Sequence, residues 1–143
     1  MRGILGQLVE QESQLTVVDM EASIEHMSRG TPRYTDVLLI VTEPYYRSLE
    51  TAGRIAALAQ ELGIPEMYVV ANKVRGARDE EALRQYCIER GLALVAVLPF
   101  DEAVLEADES RVPILDADPE SAYVRVVKQL LEKLPVEVVK QAH

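Results

Sequence analysis

The stretch DVLLIVT, residues 36–42, is a continuous apolar run that ends in threonine. Such a run predicts a β-strand buried on both faces, as in a parallel sheet that has helices on both sides. Pro44 stops the strand, and residues 47–62 then carry apolar side chains at helical spacing, with Gly63 suited to the C-terminal cap. The segment MYVVA, residues 67–71, is the next predicted strand. This strand–helix–strand order predicts a βαβ unit and an α/β fold.

The same alternation continues through the rest of the chain. Two more apolar segments predict strands, residues 15–20 (LTVVDM) and 92–98 (LALVAVL). Periodic or capped segments predict helices at residues 2–11, 78–90, 101–108 and from Asp118–Pro119 to about residue 134. We therefore predict a single domain over residues 1–143, built on an open, mainly parallel sheet of about four strands with flanking helices. Residues 135–143 are expected to form a flexible tail.

Composition limits the classes of function. The 143 residues are 48% hydrophobic, enough for a core, and carry a net charge of −9, which argues against nonspecific binding to nucleic acid or anionic membranes. One cysteine, Cys87, excludes an internal disulfide framework, and its place on the inward face of a predicted helix favours a core role. No apolar run approaches the length of a membrane span, about 20 residues. We expect a soluble, cytoplasmic protein.

Each predicted strand changes abruptly to polar residues or proline at its carboxyl end. The four ends are Asp19-Met20-Glu21, Thr42-Glu43-Pro44, Asn72-Lys73-Val74 and Pro99-Phe100-Asp101. Ligands of open parallel sheets bind beyond these ends, and a carboxylate such as Asp19 at the tip of a buried strand is costly unless a partner uses it. Periodicity alone leaves two interpretations open, a nucleotide-binding edge or strands that simply end in polar residues.

Four stretches, in order, favour the first interpretation. DMEASIEHMSRGT, VTEPYYRSLETAGRI, VVANKV and VLPFDEAVLEAD together resemble the C-terminal half of MinD/ParA-type P-loop ATPases. They look most like the carbon monoxide dehydrogenase accessory ATPases that help insert nickel. That subgroup carries an Asp-Met-Glu-Ala-Gly-x-Glu-His-x-x-Arg-Gly-Thr stretch, which residues 19–31 match with Ser23 in place of the glycine. The resemblance extends to about residue 134 and implies a truncated, Rossmann-like P-loop NTPase fold.

The resemblance also implies roles for individual residues. Asp19 corresponds to the switch II or Walker-B-like carboxylate, which acts on Mg²⁺ through water. Asn72, followed by Lys73, corresponds to the residue that pairs with the adenine edge, because a carboxamide can donate and accept together. The backbone around Pro99, Phe100 and Asp101 would close on the base. The implied cofactors are ATP or ADP with Mg²⁺, held weakly by this chain.

The departures from the family are equally specific. The sequence contains no GxxxxGK[ST] phosphate loop and no Cys-x-Cys pair of the nickel-insertion subgroup. Phosphoryl transfer depends on backbone N–H groups, lysine and Mg²⁺ around the phosphates, so we predict no ATPase activity from this chain alone. In the family the phosphate-loop strand lies between the strands that match residues 15–20 and 36–42. These two strands must therefore pair directly, or a second chain must fill the space.

We accordingly expect a homodimer, or a partner protein that supplies the phosphate-loop half, and the resemblance implies a metalloenzyme as the client. The alternative is a non-enzymatic interaction module that kept the fold but not nucleotide binding. An unrelated flavodoxin-like or receiver-like domain is a third interpretation. Several residues keep simpler alternatives: Asp19 as a strand-end cap, Asn72 as a turn residue, and Glu21, Glu25 and His26 as a polar turn rather than a metal cluster.

Overall fold

A parallel sheet of three strands, in the order β1-β2-β3, forms the centre of the molecule. The computed structural model describes residues 15–20 and 35–135. The strands are β1 (Val37–Thr42), β2 (Glu66–Val74) and β3 (Leu94–Pro99). The helices are α1 (Tyr46–Glu61), α2 (Ala77–Glu89), α3 (Glu102–Glu109), α4 (Ile114–Ala117) and α5 (Ala122–Lys133). The predicted α/β class and parallel sheet are confirmed, but within the described residues the sheet has three strands rather than the predicted number of about four.

One face of the sheet is covered by α1 and α2. The small and branched side chains of α1, namely Ala52, Ile55, Ala56 and Ala59, pack with Ile40 of β1. Leu83 of α2 is fully buried against Ala71 and Val74 of β2. Cys87 is also buried, as its predicted core role requires, and burial raises the pKa of its thiol. The predicted βαβ unit thus forms as the apolar spacing indicates.

The opposite face is covered by α5, which packs mainly on β3. Leu130 lies in a cluster with Val70 of β2 and with Ala96 and Leu98 of β3. Helix α5 does not extend over β1, where Leu39 is 37% and Val41 60% exposed. The prediction that residues 36–42 are buried on both faces is therefore wrong for this face. The cause is the absence of a covering element over β1 among the described residues.

Residues 15–20 do not form the predicted fourth strand. They have no strand conformation, and Val17 is 83% exposed, while only Met20 packs against the cluster around Ile40. Asp19 is therefore an exposed residue and not a carboxylate at the tip of a buried strand. An apolar run becomes a strand only when another strand satisfies its backbone groups, and residues 15–20 do not pair with β1.

The last helix begins later than predicted. Asp118 accepts a hydrogen bond from the Glu120 N–H at 3.2 Å, which closes a turn, and Ser121 caps α5 by accepting from the Val124 N–H at 3.2 Å. The short helix α4 precedes this turn and was not predicted. The predicted helix over residues 2–11, the segment with Glu21, Ser23, Glu25 and His26, and residues 136–143 of the predicted tail lie outside the described residues. No described helix is long and apolar enough to cross a membrane.

Candidate functional site

The carboxyl ends of the three strands meet at one edge of the sheet. We call the residues there, Thr42–Glu43, Asn72–Arg75 and Pro99–Asp101, the carboxyl edge. Neighbouring parallel strands place these residues side by side, since Thr42 pairs with Ala71 and Val74 with Pro99. The edge therefore brings together Asn72, Lys73, Pro99, Phe100 and Asp101, the residues that the sequence nominated for nucleotide binding.

The turn after β1 is held by Ser48 in the first turn of α1. Its hydroxyl lies 3.0 Å from the buried Thr42 hydroxyl and accepts a hydrogen bond from the Glu43 N–H at 2.9 Å. The Thr42 hydroxyl also donates to the Glu43 carbonyl at 3.5 Å, so Ser48 supplies the shorter of its two contacts and the acceptor for the Glu43 N–H. These bonds also fix the backbone from which the Glu43 side chain leaves the strand.

A β-bulge carries Asn72 and Lys73. Between the paired positions Ala71↔Val97 and Val74↔Pro99, β2 has one more residue than β3. Lys73 adopts a positive φ of 56°, a conformation that costs a lysine about 1 kcal/mol or more. The Asn72 Oδ1 accepts the Lys73 N–H at 2.9 Å, which orients the carboxamide. Among the described residues, the Asn72 NH₂ group has no acceptor. The pattern placed Asn72 after the strand, whereas it lies within it.

An ion pair joins the ends of β1 and β2. The Lys73 ammonium group donates to Glu43 Oε1 at 2.9 Å, and the hydrogen bond to this carboxylate raises the pKa of Lys73. Both side chains are partly exposed, so the pair adds little to stability. Its effect is to hold the lysine over the β1–β2 boundary.

Arg75 and Phe100 form a stacked pair directly beyond the β2–β3 ladder. The guanidinium carbon lies 3.6 Å from the centroid of the Phe100 ring. The Phe100 N–H donates to the Val74 carbonyl at 2.9 Å, and the Arg75 N–H donates to Asp79 Oδ2 at 3.1 Å. Both backbones are therefore fixed, and the arginine occupies one face of the ring.

Asp101 has both carboxylate oxygens in contact with backbone. Oδ1 accepts the Ala103 N–H at 3.0 Å as the cap of α3, and Oδ2 accepts the Tyr123 N–H at 3.3 Å near the start of α5. Asp101 thus joins two helices to the carboxyl edge. Its oxygens are engaged in the fold, and its predicted contact with a base would have to come from its backbone.

Asp19 is not part of this cluster of contacts. Among the described residues it has no hydrogen-bond or ion-pair partner. The described residues also contain no group of three or more His, Cys, Asp or Glu side chains placed to hold a metal ion. The contact between Asp19 and Mg²⁺ stays a prediction. A single carboxylate binds Mg²⁺ only when water molecules and phosphate oxygens supply the other ligands.

Sequence reasoning missed two members of the edge. Glu43 was noted in the turn, but its pairing with Lys73 depends on the register of β1 and β2. Arg75 was not singled out, although a basic residue directly after a strand end is a visible signal. Its stacking depends on where Phe100 lies, which only the fold determines.

Comparison with known proteins finds relatives that are described as ATP-binding proteins. No family model matches it. It is 35% identical over 136 residues to an uncharacterized ATP-binding protein of Methanocaldococcus jannaschii, covering 94% of the chain and 53% of that protein. It is 36% identical over 121 residues to the carbon monoxide dehydrogenase accessory protein CooC of Rhodospirillum rubrum, covering 83% of the chain and 44% of CooC. The chain thus spans about half the length of the curated relatives it matches.

Solved structures give the same fold. A ParA family ATPase of Chlorobium tepidum matches with a TM-score of 0.58 and 25% identity, over 71% of the chain and 43% of that protein. The cell division ATPase MinD of Pyrococcus furiosus matches with a TM-score of 0.59 and 22% identity, over 71% of the chain and 43% of that protein. MinD of Pyrococcus horikoshii, solved in complex with Mg-ADP, matches with a TM-score of 0.56 and 17% identity, over 74% of the chain and 46% of that protein.

Proposed function

Because the chain is a homologue of MinD/ParA-type ATP-binding proteins, we propose that its carboxyl edge is the adenine-binding half of a nucleotide site. The phosphate-binding half would come from a polypeptide segment that residues 1–143 do not contain. Residues 1–143 alone have no ATPase activity in this proposal, since they carry no phosphate loop. Adenine nucleotide with Mg²⁺ binds weakly until the second half is present.

The bulge at Asn72 carries this proposal. Adenine offers an N6 donor beside the N7 acceptor, and one carboxamide satisfies both. Asn72 Oδ1 keeps a second lone pair after accepting the Lys73 N–H, and its NH₂ group is free among the described residues. Bulges redirect side chains near binding sites, and strained backbone persists where the surrounding structure requires it. An oriented, half-used carboxamide at the carboxyl edge is suited to a purine.

The free side of β1 is the docking place for the second half. Strand β1 pairs only with β2, so its other edge presents backbone groups without strand partners among the described residues. Leu39 and Val41 extend this edge into an exposed apolar surface. A further strand that pairs there would continue the sheet and bring its own carboxyl end beside Glu43 and Lys73. Asp19 would then act on Mg²⁺ held by the phosphates.

Thermal unfolding with and without Mg-ADP tests nucleotide binding. A ligand specific for the folded state stabilises it by about 2.7 kcal/mol at a hundredfold excess over its Kd, which raises the midpoint by roughly 2–8 °C. Asn72→Asp keeps an oxygen for the Lys73 N–H but loses the NH₂ donor, so we expect it to weaken binding about tenfold. Gln85→Glu makes the same chemical change on exposed α2 and should leave the shift intact. Wild-type chain that does not respond to millimolar nucleotide contradicts the proposal.

The docking step has its own test. The portion of the Rhodospirillum rubrum CooC protein that this chain does not match would be added, and complex formation measured by analytical ultracentrifugation. Val41→Lys places a charge on the β1 surface and should abolish the complex. Ile88→Lys makes a similar change at a residue 73% exposed on α2 and serves as the control. Equal binding by both variants would exclude β1 as the docking place.

An interaction module without nucleotide is the second candidate function. The exposed apolar side chains of Leu39 and Val41, with Tyr45 at 54% and Tyr46 at 76% exposure, favour it. In this case the β1 surface binds another copy of the chain or a different protein, including a metalloenzyme client. A concentration-dependent dimer that Val41→Lys abolishes, with no response to nucleotide, would select this candidate.

A further inference from the structure

We infer that Arg75 provides the flat surface on which a purine base stacks at the carboxyl edge. The inference rests on the proposed adenine-binding function and adds a residue that contacts the base. Phe100 is the aromatic side chain of the carboxyl edge, but Arg75 already occupies one face of its ring at 3.6 Å. The planar group open to solvent here is therefore the guanidinium, since Arg75 is exposed and Phe100 is half-buried.

The guanidinium is held in place before any ligand arrives. The Arg75 N–H donates to Asp79 Oδ2, and the side chain rests on a ring whose own backbone is bonded to Val74. Arg75 forms no ion pair with a carboxylate among the described residues, so its charge is not neutralised by a neighbour. Because the Arg75 side chain is already ordered by stacking against Phe100, binding a ligand costs less side-chain entropy.

Arginine is suited to this role because its planar, weakly hydrated guanidinium stacks on π systems. The guanidinium cation attracts the electron-rich face of a purine. Phe100 makes the same kind of contact with the opposite face of the guanidinium. Asn72 lies in the bulge near the end of β2, and Arg75 is the first residue after that strand. A base whose edge pairs with the Asn72 carboxamide would therefore have the outer face of Arg75 available to stack on.

Adenosine separates base recognition from phosphate recognition, because it has no phosphate to attract the positive charge. Its Kd and that of Mg-ADP would be measured by NMR titration of the full chain. Loss of a base-stacking side chain costs about 1–3 kcal/mol, so Arg75→Ala should weaken adenosine binding roughly 5- to 150-fold. Arg75→Lys keeps the charge but not the plane and should weaken adenosine binding in the same way. Arg84→Ala removes an exposed arginine that pairs with Glu80 on α2 and should bind as wild type does.

The outcomes are distinct. Wild-type binding of adenosine that both Arg75 variants lose supports the inference. If Arg75→Ala binds adenosine as tightly as wild type, the stacking inference is wrong but the proposed function stands. If Arg75→Lys keeps full affinity for adenosine, the stacking inference is also wrong, because the positive charge alone is then sufficient. Wild-type chain that binds neither adenosine nor Mg-ADP refutes the proposed function and the inference with it. Circular dichroism spectra of the variants confirm that each is folded.

Discussion

Helices α1 and α2 meet at a contact whose energetics can be tested with two small changes. Gly53 of α1 faces Tyr86 of α2 and Arg90, the C-cap of that helix, and a β-carbon added at Gly53 would overlap the Tyr86 hydroxyl and lie 3.3 Å from an Arg90 guanidinium nitrogen. The Tyr86 hydroxyl is buried without a hydrogen-bond partner among the described residues, and burial raises its pKa. The contact therefore has no room for an added methyl group, and it buries a hydroxyl that forms no hydrogen bond with the described residues.

The two changes should have opposite effects on the free energy of unfolding. Gly53→Ala gains about 1 kcal/mol of helix propensity but forces Tyr86 to move, at a cost of about 1–3 kcal/mol, so we expect a net destabilisation of up to about 2 kcal/mol. Tyr86→Phe removes the unsatisfied hydroxyl and should stabilise the chain by about 1 kcal/mol. In the Tyr86→Phe background the obstructing oxygen is absent, so Gly53→Ala should become stabilising.

Urea unfolding of the four proteins, followed by circular dichroism, completes a double-mutant cycle. We expect a coupling energy of at least about 1 kcal/mol, well outside the roughly 0.5 kcal/mol typical of independent sites. Additive effects of the two changes would show that Tyr86 does not restrict Gly53. The packing account of the α1–α2 contact would then be wrong.

Three further changes probe the site and the core. Ser48→Ala leaves the Glu43 N–H without its acceptor and leaves the buried Thr42 hydroxyl with only its long bond to the Glu43 carbonyl, so it should cost about 1–3 kcal/mol in urea unfolding; a cost below that range would show that solvent replaces the serine. Asp101→Ala removes a helix cap and should cost about 1–2 kcal/mol; loss of nucleotide binding without loss of stability would instead assign Asp101 a ligand role. Burial raises the pKa of Cys87 in the folded state, so stability is full below the ordinary thiol pKa of 9.0 and is lost as the pH rises through the folded value. Cys87→Ala should flatten that alkaline decline, and an unchanged decline would assign it to other groups.

Hydrophobic periodicity predicted the βαβ unit because its signal is local. The small apolar face of α1 and the glycine at its end, Gly63 with φ of 72°, are properties of a single helix and can be recognised in one segment of sequence. The inward positions of Leu83 and Cys87 follow from the same reasoning. The bounds of helices whose signals lie within a single segment of sequence were therefore predicted to within a few residues.

The errors arose where the outcome depends on a second element. LTVVDM has the composition of a strand, but residues 15–20 lack a strand beside them, so their composition does not decide their conformation. Asp118–Pro119 looks like a helix start, yet Ser121 supplies the cap because Asp118 is used in a turn after α4. The bulge at Asn72 results from the register of β2 against β3, and the Arg75–Phe100 stack results from the same register. These features of the candidate site depend on tertiary structure, so they cannot be predicted from a single segment of sequence.

In the part of the chain that the structure describes, one side of β1 has no neighbouring strand, and this has a consequence for the colloidal behaviour of the protein. The strand VLLIVT contains no proline or charged residue, and its register with β2 is uninterrupted. It therefore lacks the usual features that prevent an edge strand from pairing side by side with a strand of another molecule. Mutual repulsion from a net charge of −9 is what opposes such growth. Salt shortens the range of that repulsion from about 30 Å at 0.01 M to about 3 Å at 1 M. Light scattering should therefore rise with ionic strength, and a lysine at Val41 should suppress the rise.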